Sequence, residues 1–173
     1  HTGAVGAKLL YPGTSLIQHS GVLNLPVGPS HALIRWDDNV VGYFARNKLT
    51  YDYIAVTAAC LLVKKEKYFE VGGLDESFAV AYNDVDFCFK LYEAGYYNVL
   101  RNDAVLIHHE SLSRGLDELT PEKYKRQMRE MDRLYKKHPS VNGKDPFFNV
   151  NLAGNDPYFH TGISRDIIAS RNN

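Results

Sequence analysis

The sequence predicts a mixed α/β fold. Short β-rich apolar runs alternate with Gly-, Pro- and Asn-containing breaks. Two segments, one opening at Asn83 and one at Thr120, carry apolar residues at helical spacing. Of the 173 residues, 45% are hydrophobic and 12% aromatic, enough to bury one sizeable core. Residues 1–173 are therefore expected to form a single domain or a large part of one.

Charge and hydropathy narrow the function classes. Twenty Lys and Arg balance 20 Asp and Glu. Nucleic acid is not expected as a partner, because phosphate binding relies on clustered positive charge. The longest apolar stretch, 54–63, is too short to span a bilayer and contains Thr57. No signal peptide is legible, and a start at His1 rather than Met suggests an excised piece. Cys60 and Cys88 lie inside apolar runs and are expected to be reduced core residues, as suits a cytoplasmic protein.

In chain order, "AVGAKLL" at 4–10 predicts a buried strand ending at Tyr11-Pro12-Gly13, and "LIQHSGVL" at 16–23 a second. Residues 24–50 show little periodicity and predict a long loop with a short helix near 41–48. "IAVTAACLLVKK" at 54–65 is nearly all apolar and predicts a central strand buried on both faces. Residues 66–70 predict a short helix stopped by Gly72-Gly73. Asn83 is expected to cap the next helix, with Asp86 at N3 and Gly95 at C′. "YNVL" at 97–100 and "AVLIHH" at 104–109 predict two short strands. Thr120 and Pro121 open an amphipathic helix with Tyr124, Met128, Met131 and Tyr135 as one stripe, ending near His138-Pro139. Its charges form a solvated face. Residues 139–173 are expected to wrap the domain as an irregular tail.

The stretch "YNDVDFCFK", 82–90, holds the most pointed chemistry. Asn83, Asp84 and Asp86 could simply favour a helix start, where the macrodipole stabilises each acid by about 0.3–1 kcal/mol. Asp84 and Asp86 could instead be a D-x-D metal pair, but side chains two apart on a helix point roughly 200° from one another. A carboxylate at a helix start facing a cleft could also act as a general base. Two neighbouring motifs bear on the choice. In "HHES", 108–111, adjacent histidines at a strand end project in opposite directions, and one facing a cleft could ligate a metal. Gly72-Gly73 could be a plain helix stop or part of a site.

Taken in order, "GAVGAKLLYP", "IQHSGV", "VTAACLLVKKEKYFEVGGLDESF", "YNDVDFCFKLYEAGYYNVL" and "HHESLSRG" resemble family 2 glycosyltransferases of bacterial cell-wall, O-antigen or rhamnan-type polysaccharide synthesis. The resemblance covers about residues 3–152. It implies an inverting, metal-dependent enzyme of the GT-A fold, with a Rossmann-like mixed sheet, that uses a nucleotide sugar and a glycan or lipid-linked acceptor. It places the catalytic base at Asp84, with Asn83 where Glu is common, and treats Asp86 as a structural acid on the same helix. The metal-side histidine is His108, and His109, Ser111, Ser113 and Arg114 belong to its motif. Thr57, Ala58 and Ala59 match the acceptor-lining segment, where Ala58 replaces a common Gly; Gly72, Gly73 and Asn83 complete the acceptor-side set. The implied cofactor is Mg or Mn.

The family's nucleotide-binding half, with its own D-x-D strand, has no counterpart here, so the chain is expected to be the C-terminal, acceptor-side half and inactive in isolation. An exposed edge would then permit a dimer, and membrane association at the inner face of the cell membrane would come through regions outside the chain. The rival expectation is a non-catalytic carbohydrate-binding or scaffolding module. A pyrophosphorylase-like enzyme would need a Gly-rich basic phosphate loop, which the sequence lacks.

Overall fold

The computed structural model describes residues 1–78, 81–109 and 120–161. The fold is mixed α/β, as the sequence predicts. Strand β1 (Thr2–Leu10) is almost wholly apolar and buried at most positions. It is followed by β2 (Ile17–His19), β3 (Val22–Leu25), β4 (Gly28–His31), β5 (Tyr51–Tyr53) and the two-residue β6 (Leu61–Leu62). Helices α1 (Lys65–Glu70) and α2 (Asn83–Glu93) precede β7 (Tyr97–Ile107), and α3 (Pro121–Lys137) follows it. The main sheet runs β2-β1-β7-β5, with β6 also pairing β1; β3 and β4 form a separate hairpin. β1 and β7 are parallel and the other pairings antiparallel.

Several expectations change. The strand expected at 16–23 is two strands, broken at Gly21, whose φ of +98° suits glycine. The long loop expected at 24–50 contains the β3–β4 hairpin, and its expected helix is a single 3₁₀ turn at Tyr43–Ala45. The two strands expected at 97–109 are one strand with a bulge. Ala7 pairs Arg101 but Lys8 pairs Val105, so three residues bulge out. One of them, Asn102, is buried and donates to the Arg46 and Leu49 carbonyls at 2.6 and 2.7 Å.

The largest correction concerns 54–65, which is not a central strand. Ile54, Ala55 and Val56 are fully buried, but they pack between the sheet and α2 rather than joining the sheet as a strand. Val56 lies so close to β1 that a Cβ on Gly6 would meet it at 2.7 Å. The backbone polar groups here find side chains: Asn98 Nδ2 donates to the Ile54 carbonyl at 2.9 Å, and the Val56 N–H donates to Cys88 Sγ at 3.5 Å. One isolated bridge joins Ala55 to Val22. An apolar run reports burial, and burial needs no ladder of its own once other groups satisfy the backbone. From Thr57 the chain turns through a 3₁₀ segment, Ala58–Cys60. Cys60 is therefore only half-buried, while Cys88 is fully buried, with its thiol pushed up to about 12 by burial.

Both short helices end as their glycines predict. At α2 the Gly95 N–H bonds to Tyr92 and the Tyr96 N–H to Leu91; at α1 the Gly72 N–H bonds to Phe69 and the Gly73 N–H to Tyr68. Each is a Schellman stop with a left-handed glycine. The start of α2 differs from expectation. Tyr82, not Asn83, is the cap, in a left-handed conformation. Asn83 is then N1 and Asp86 N4, so no capping box forms.

Thr120 caps α3 and Pro121 follows. The inward face carries the buried Glu130 and Leu134 together with Met131, beside Gly28, and Tyr135, packed on the core, so the predicted stripe holds at Met131 and Tyr135 and fails at the exposed Tyr124. From residue 142 to 161 the described chain holds no helix or strand. It is pinned to the body by Arg46, whose guanidinium lies over the Tyr51 and Phe159 rings at 4.5 and 4.7 Å. Among the described residues no helix is long and apolar enough to cross a membrane.

Candidate active site

Asp84 sits in the first turn of α2, half-exposed. Its Oδ1 accepts the Val85 N–H at 2.9 Å. Its Oδ2 accepts the Ala58 N–H at 3.0 Å, tying the start of α2 to the 57–60 turn. Each carboxylate oxygen has two lone pairs, so both can accept a further hydrogen bond from a bound hydroxyl. Asn83 Oδ1 accepts the Asp84 N–H at 2.8 Å, orienting the residue from behind. Thr57 Oγ1 accepts the Ala59 N–H at 3.3 Å and so shapes the same turn.

Beside this turn lies a cleft of about 170 Å³ whose walls include Gln18, His19, His31, Thr57, Ala59 and His108. His108 Nδ1 is 2.8 Å from Gln18 Oε1. An amide oxygen only accepts, so Nδ1 carries the proton; in the neutral ring Nε2 is then the nitrogen with the lone pair that can ligate a metal. His109 is exposed, so the two neighbours do face different surroundings.

His19 is fully buried and its tautomer follows from its partners. Nε2 accepts the backbone N–H groups of Gly21 and Thr57 at 3.3 and 3.4 Å. Nδ1 therefore donates, to His31 Nδ1 at 2.9 Å. Burial, then the nearness of His31 and His108, holds the His19 pKa well below the usual imidazole value.

Of the sequence candidates, Thr57, Ala59 and His108 line this cleft; Ala58, Asn83 and Asp84 adjoin it through the 57–60 turn without lining it, and the remaining described candidates lie elsewhere. Gly72 and Gly73 form the α1 stop, and Gly73 accepts Lys90 Nζ at 2.6 Å; neither lines the cleft. Asp86 is fully buried on the opposite side of α2 from Asp84's partner. His138 Nε2 and Lys137 Nζ lie 3.1 and 2.5 Å from its Oδ1, and Lys90 Nζ lies 2.9 Å from Oδ2. The Lys90 contact is an ion pair without hydrogen-bond alignment. Burial alone would raise the Asp86 pKa, but His138, Lys137 and Lys90 together hold it at about 2. Ser111, Ser113 and Arg114 lie outside the described residues. Among the described residues no three His, Cys, Asp or Glu side chains are grouped so as to hold a metal ion.

Sequence reasoning gave no role to Gln18, His19 or His31. "IQHSGV" reads as an ordinary strand, and His31 lies in a segment without periodicity. The one available signal was two polar residues, Gln18 and His19, inside an otherwise apolar run.

No family model matches the chain, and no solved structure matches it. It is 46% identical over 153 residues, 87% of its length, to 17% of the uncharacterised protein y4gI of Sinorhizobium fredii. It is 36% identical over 125 residues, 70% of its length, to 10% of the O-antigen biosynthesis protein RfbC of Myxococcus xanthus. A shorter match, 36% identical over 62 residues, joins 36% of the chain to 20% of the N-acetylglucosaminyl-diphospho-decaprenol L-rhamnosyltransferase of Mycobacterium tuberculosis. The chain thus spans a fifth or less of each of these relatives. Two of the three bear names of polysaccharide synthesis or sugar transfer.

Proposed function

We propose that this chain supplies the acceptor side of an inverting, metal-dependent family 2 glycosyltransferase of the GT-A type. Its protein would move a sugar from a nucleotide sugar to a glycan or lipid-linked acceptor. The observation that carries this reading is the position of Asp84. A half-exposed carboxylate opens a helix and is bonded to Ala58, between two residues, Thr57 and Ala59, that line a cleft shared with His108. The relatives' names support the same reaction class.

In this mechanism the acceptor hydroxyl lies in the cleft against the 57–59 turn and donates to Asp84. Asp84 takes its proton as the oxygen attacks the anomeric carbon, inverting it while the nucleoside diphosphate leaves. Such a base contributes roughly 10²–10⁴-fold. The Ala58 and Val85 N–H groups hold the carboxylate still, so little reorganisation accompanies proton transfer. His108 would offer Nε2 to a divalent cation, Mg or Mn, with the remaining ligands from outside the described groups. When bound, that cation would neutralise charge on the leaving diphosphate. A cytoplasmic site at the inner membrane face, and a dimer through an exposed edge such as the 73%-exposed Leu62 of β6, belong to the same proposal.

The test is product release. The complete protein is incubated with UDP- and dTDP-sugars, Mg or Mn, and lipid-linked or glycan acceptors, and nucleoside diphosphate is measured. Release that needs both acceptor and cation is expected. Glycan binding with no release from any donor would favour a binding module instead.

A further inference from the structure

We infer that His19 is a positioning residue that holds the Asp84 base in register with His108. The inference rests on the reading of Asp84 as the base. Gln18 and His19 are consecutive residues of β2 and reach in two directions. Gln18 accepts from His108 Nδ1 at 2.8 Å. His19 Nε2 accepts the Thr57 N–H at 3.4 Å, and the next residue, Ala58, gives its N–H to Asp84 Oδ2 at 3.0 Å. A continuous path therefore runs from His108 through β2 and the 57–58 backbone to the Asp84 carboxylate.

The path depends on one tautomer. Backbone N–H groups only donate, so His19 Nε2 must be unprotonated while two of them, from Gly21 and Thr57, point at it. The donation from Nδ1 to His31 Nδ1 at 2.9 Å fixes that tautomer from the other side of the ring. The two rings meet edge-on, 81° apart. His19 belongs to the cleft wall but is only 1% exposed, so it acts on the 57–59 turn and offers almost no surface to substrate.

The titratable groups that act on His19 are His31, from β4, and His108, which follows β7. Both oppose a protonated His19. A protonated Nε2 would point its hydrogen at two others, releasing Thr57 and with it the Ala58 contact to Asp84.

Two substitutions separate positioning from mere packing. In His19→Gln the side-chain amide oxygen reaches the place of Nε2 and can accept the Thr57 N–H; in His19→Asn it stops one atom short. With the complete protein, His19→Asn should lower kcat by roughly 10–100-fold, the cost of a misplacement near 1 Å. KM for the nucleotide sugar should not change, and His19→Gln should recover most of the loss. In an Asp84→Asn background His19→Asn should add almost nothing, because it acts through a carboxylate that is already gone. Equal losses in Gln and Asn, or a full further loss in the double variant, would overturn the inference.

If the variants do not fold, hydrogen exchange on the native protein decides. Thr57 and Ala58 amides should be protected although they lie outside any strand, and exchange at open-loop rates would overturn the proposal. If Asp84→Asn keeps its turnover, the base reading itself fails. If Asp84→Asn is inactive while His19→Asn is fully active, only the positioning role fails.

Discussion

Asp84 and Asp86 are two residues apart and lie in different environments. Asp84 touches the cleft-side turn, whereas Asp86 is buried among two lysines and a histidine that join α2 to the end of α3. The helical geometry that excludes a shared metal was legible in the sequence. The burial of Asp86 was not, because its partners Lys137 and His138 lie about 50 residues away. Removing one charge from such a cluster leaves the others uncompensated, so Asp86→Asn should cost about 3–5 kcal/mol, well beyond the loss of a helix cap. The Asp86 pKa is about 2 in the fold and about 3.9 in an unfolded chain. Its contribution is therefore complete above roughly pH 5 and fades as pH falls towards about 2. Urea melts across that window should show the native protein losing stability more steeply than Asp86→Asn; parallel curves would mean the cluster is not a net stabiliser. Gly21 offers a sharper case. Its φ is +98° and an added Cβ would sit 2.5 Å from the Tyr53 ring. Gly21→Ala should destabilise by more than about 2 kcal/mol in thermal or urea melts.

At the scale of elements, local chemistry predicted ends better than pairings. Thr120-Pro121, Gly72-Gly73 and Gly95 mark helix boundaries because capping is a short-range matter. The 54–65 run misleads for the opposite reason. Its burial comes from α2 on one side and Gly6 of β1 on the other, and its hydrogen bonds come from Asn98 and Cys88, neither of which is near in sequence. The β7 bulge is equally invisible, since it exists to let Asn102 reach Arg46 and Leu49. The inward face of α3 is wider than its apolar stripe, because Glu130, a charged residue, also faces inward and accepts the Ala81 N–H at 2.8 Å. The orientation of α3 is directly testable. Leu134 is fully buried and Arg129 exposed. Leu134→Ala should cost about 2–5 kcal/mol and Arg129→Ala no more than about 0.5 kcal/mol in urea unfolding. Similar losses at both would place the helix wrongly.

For the whole molecule, the architecture explains why the candidate site forms where it does. β1 is the hub: it pairs with β2, β6 and β7. β2 ends in Gln18-His19, β6 follows the 57–60 turn, and β7 runs out to His108. α2, packed against β1 and β7, brings Asp84 to the same turn. The candidate base and the candidate metal-side histidine were both legible through the resemblance of their motifs. The Gln18-His19 connection between them was not, because it forms only when β2 comes to lie between His108 and the 57–58 turn. The most direct test of this account is the turnover of Asp84→Asn in the complete protein, with a thermal melt run beside it. The variant should melt close to the native protein and bind nucleotide sugar as well, while kcat falls by roughly 10²–10⁴-fold. An Asp84→Asn protein that keeps most of its turnover would reduce Asp84 to a helix-start acid and contradict the account.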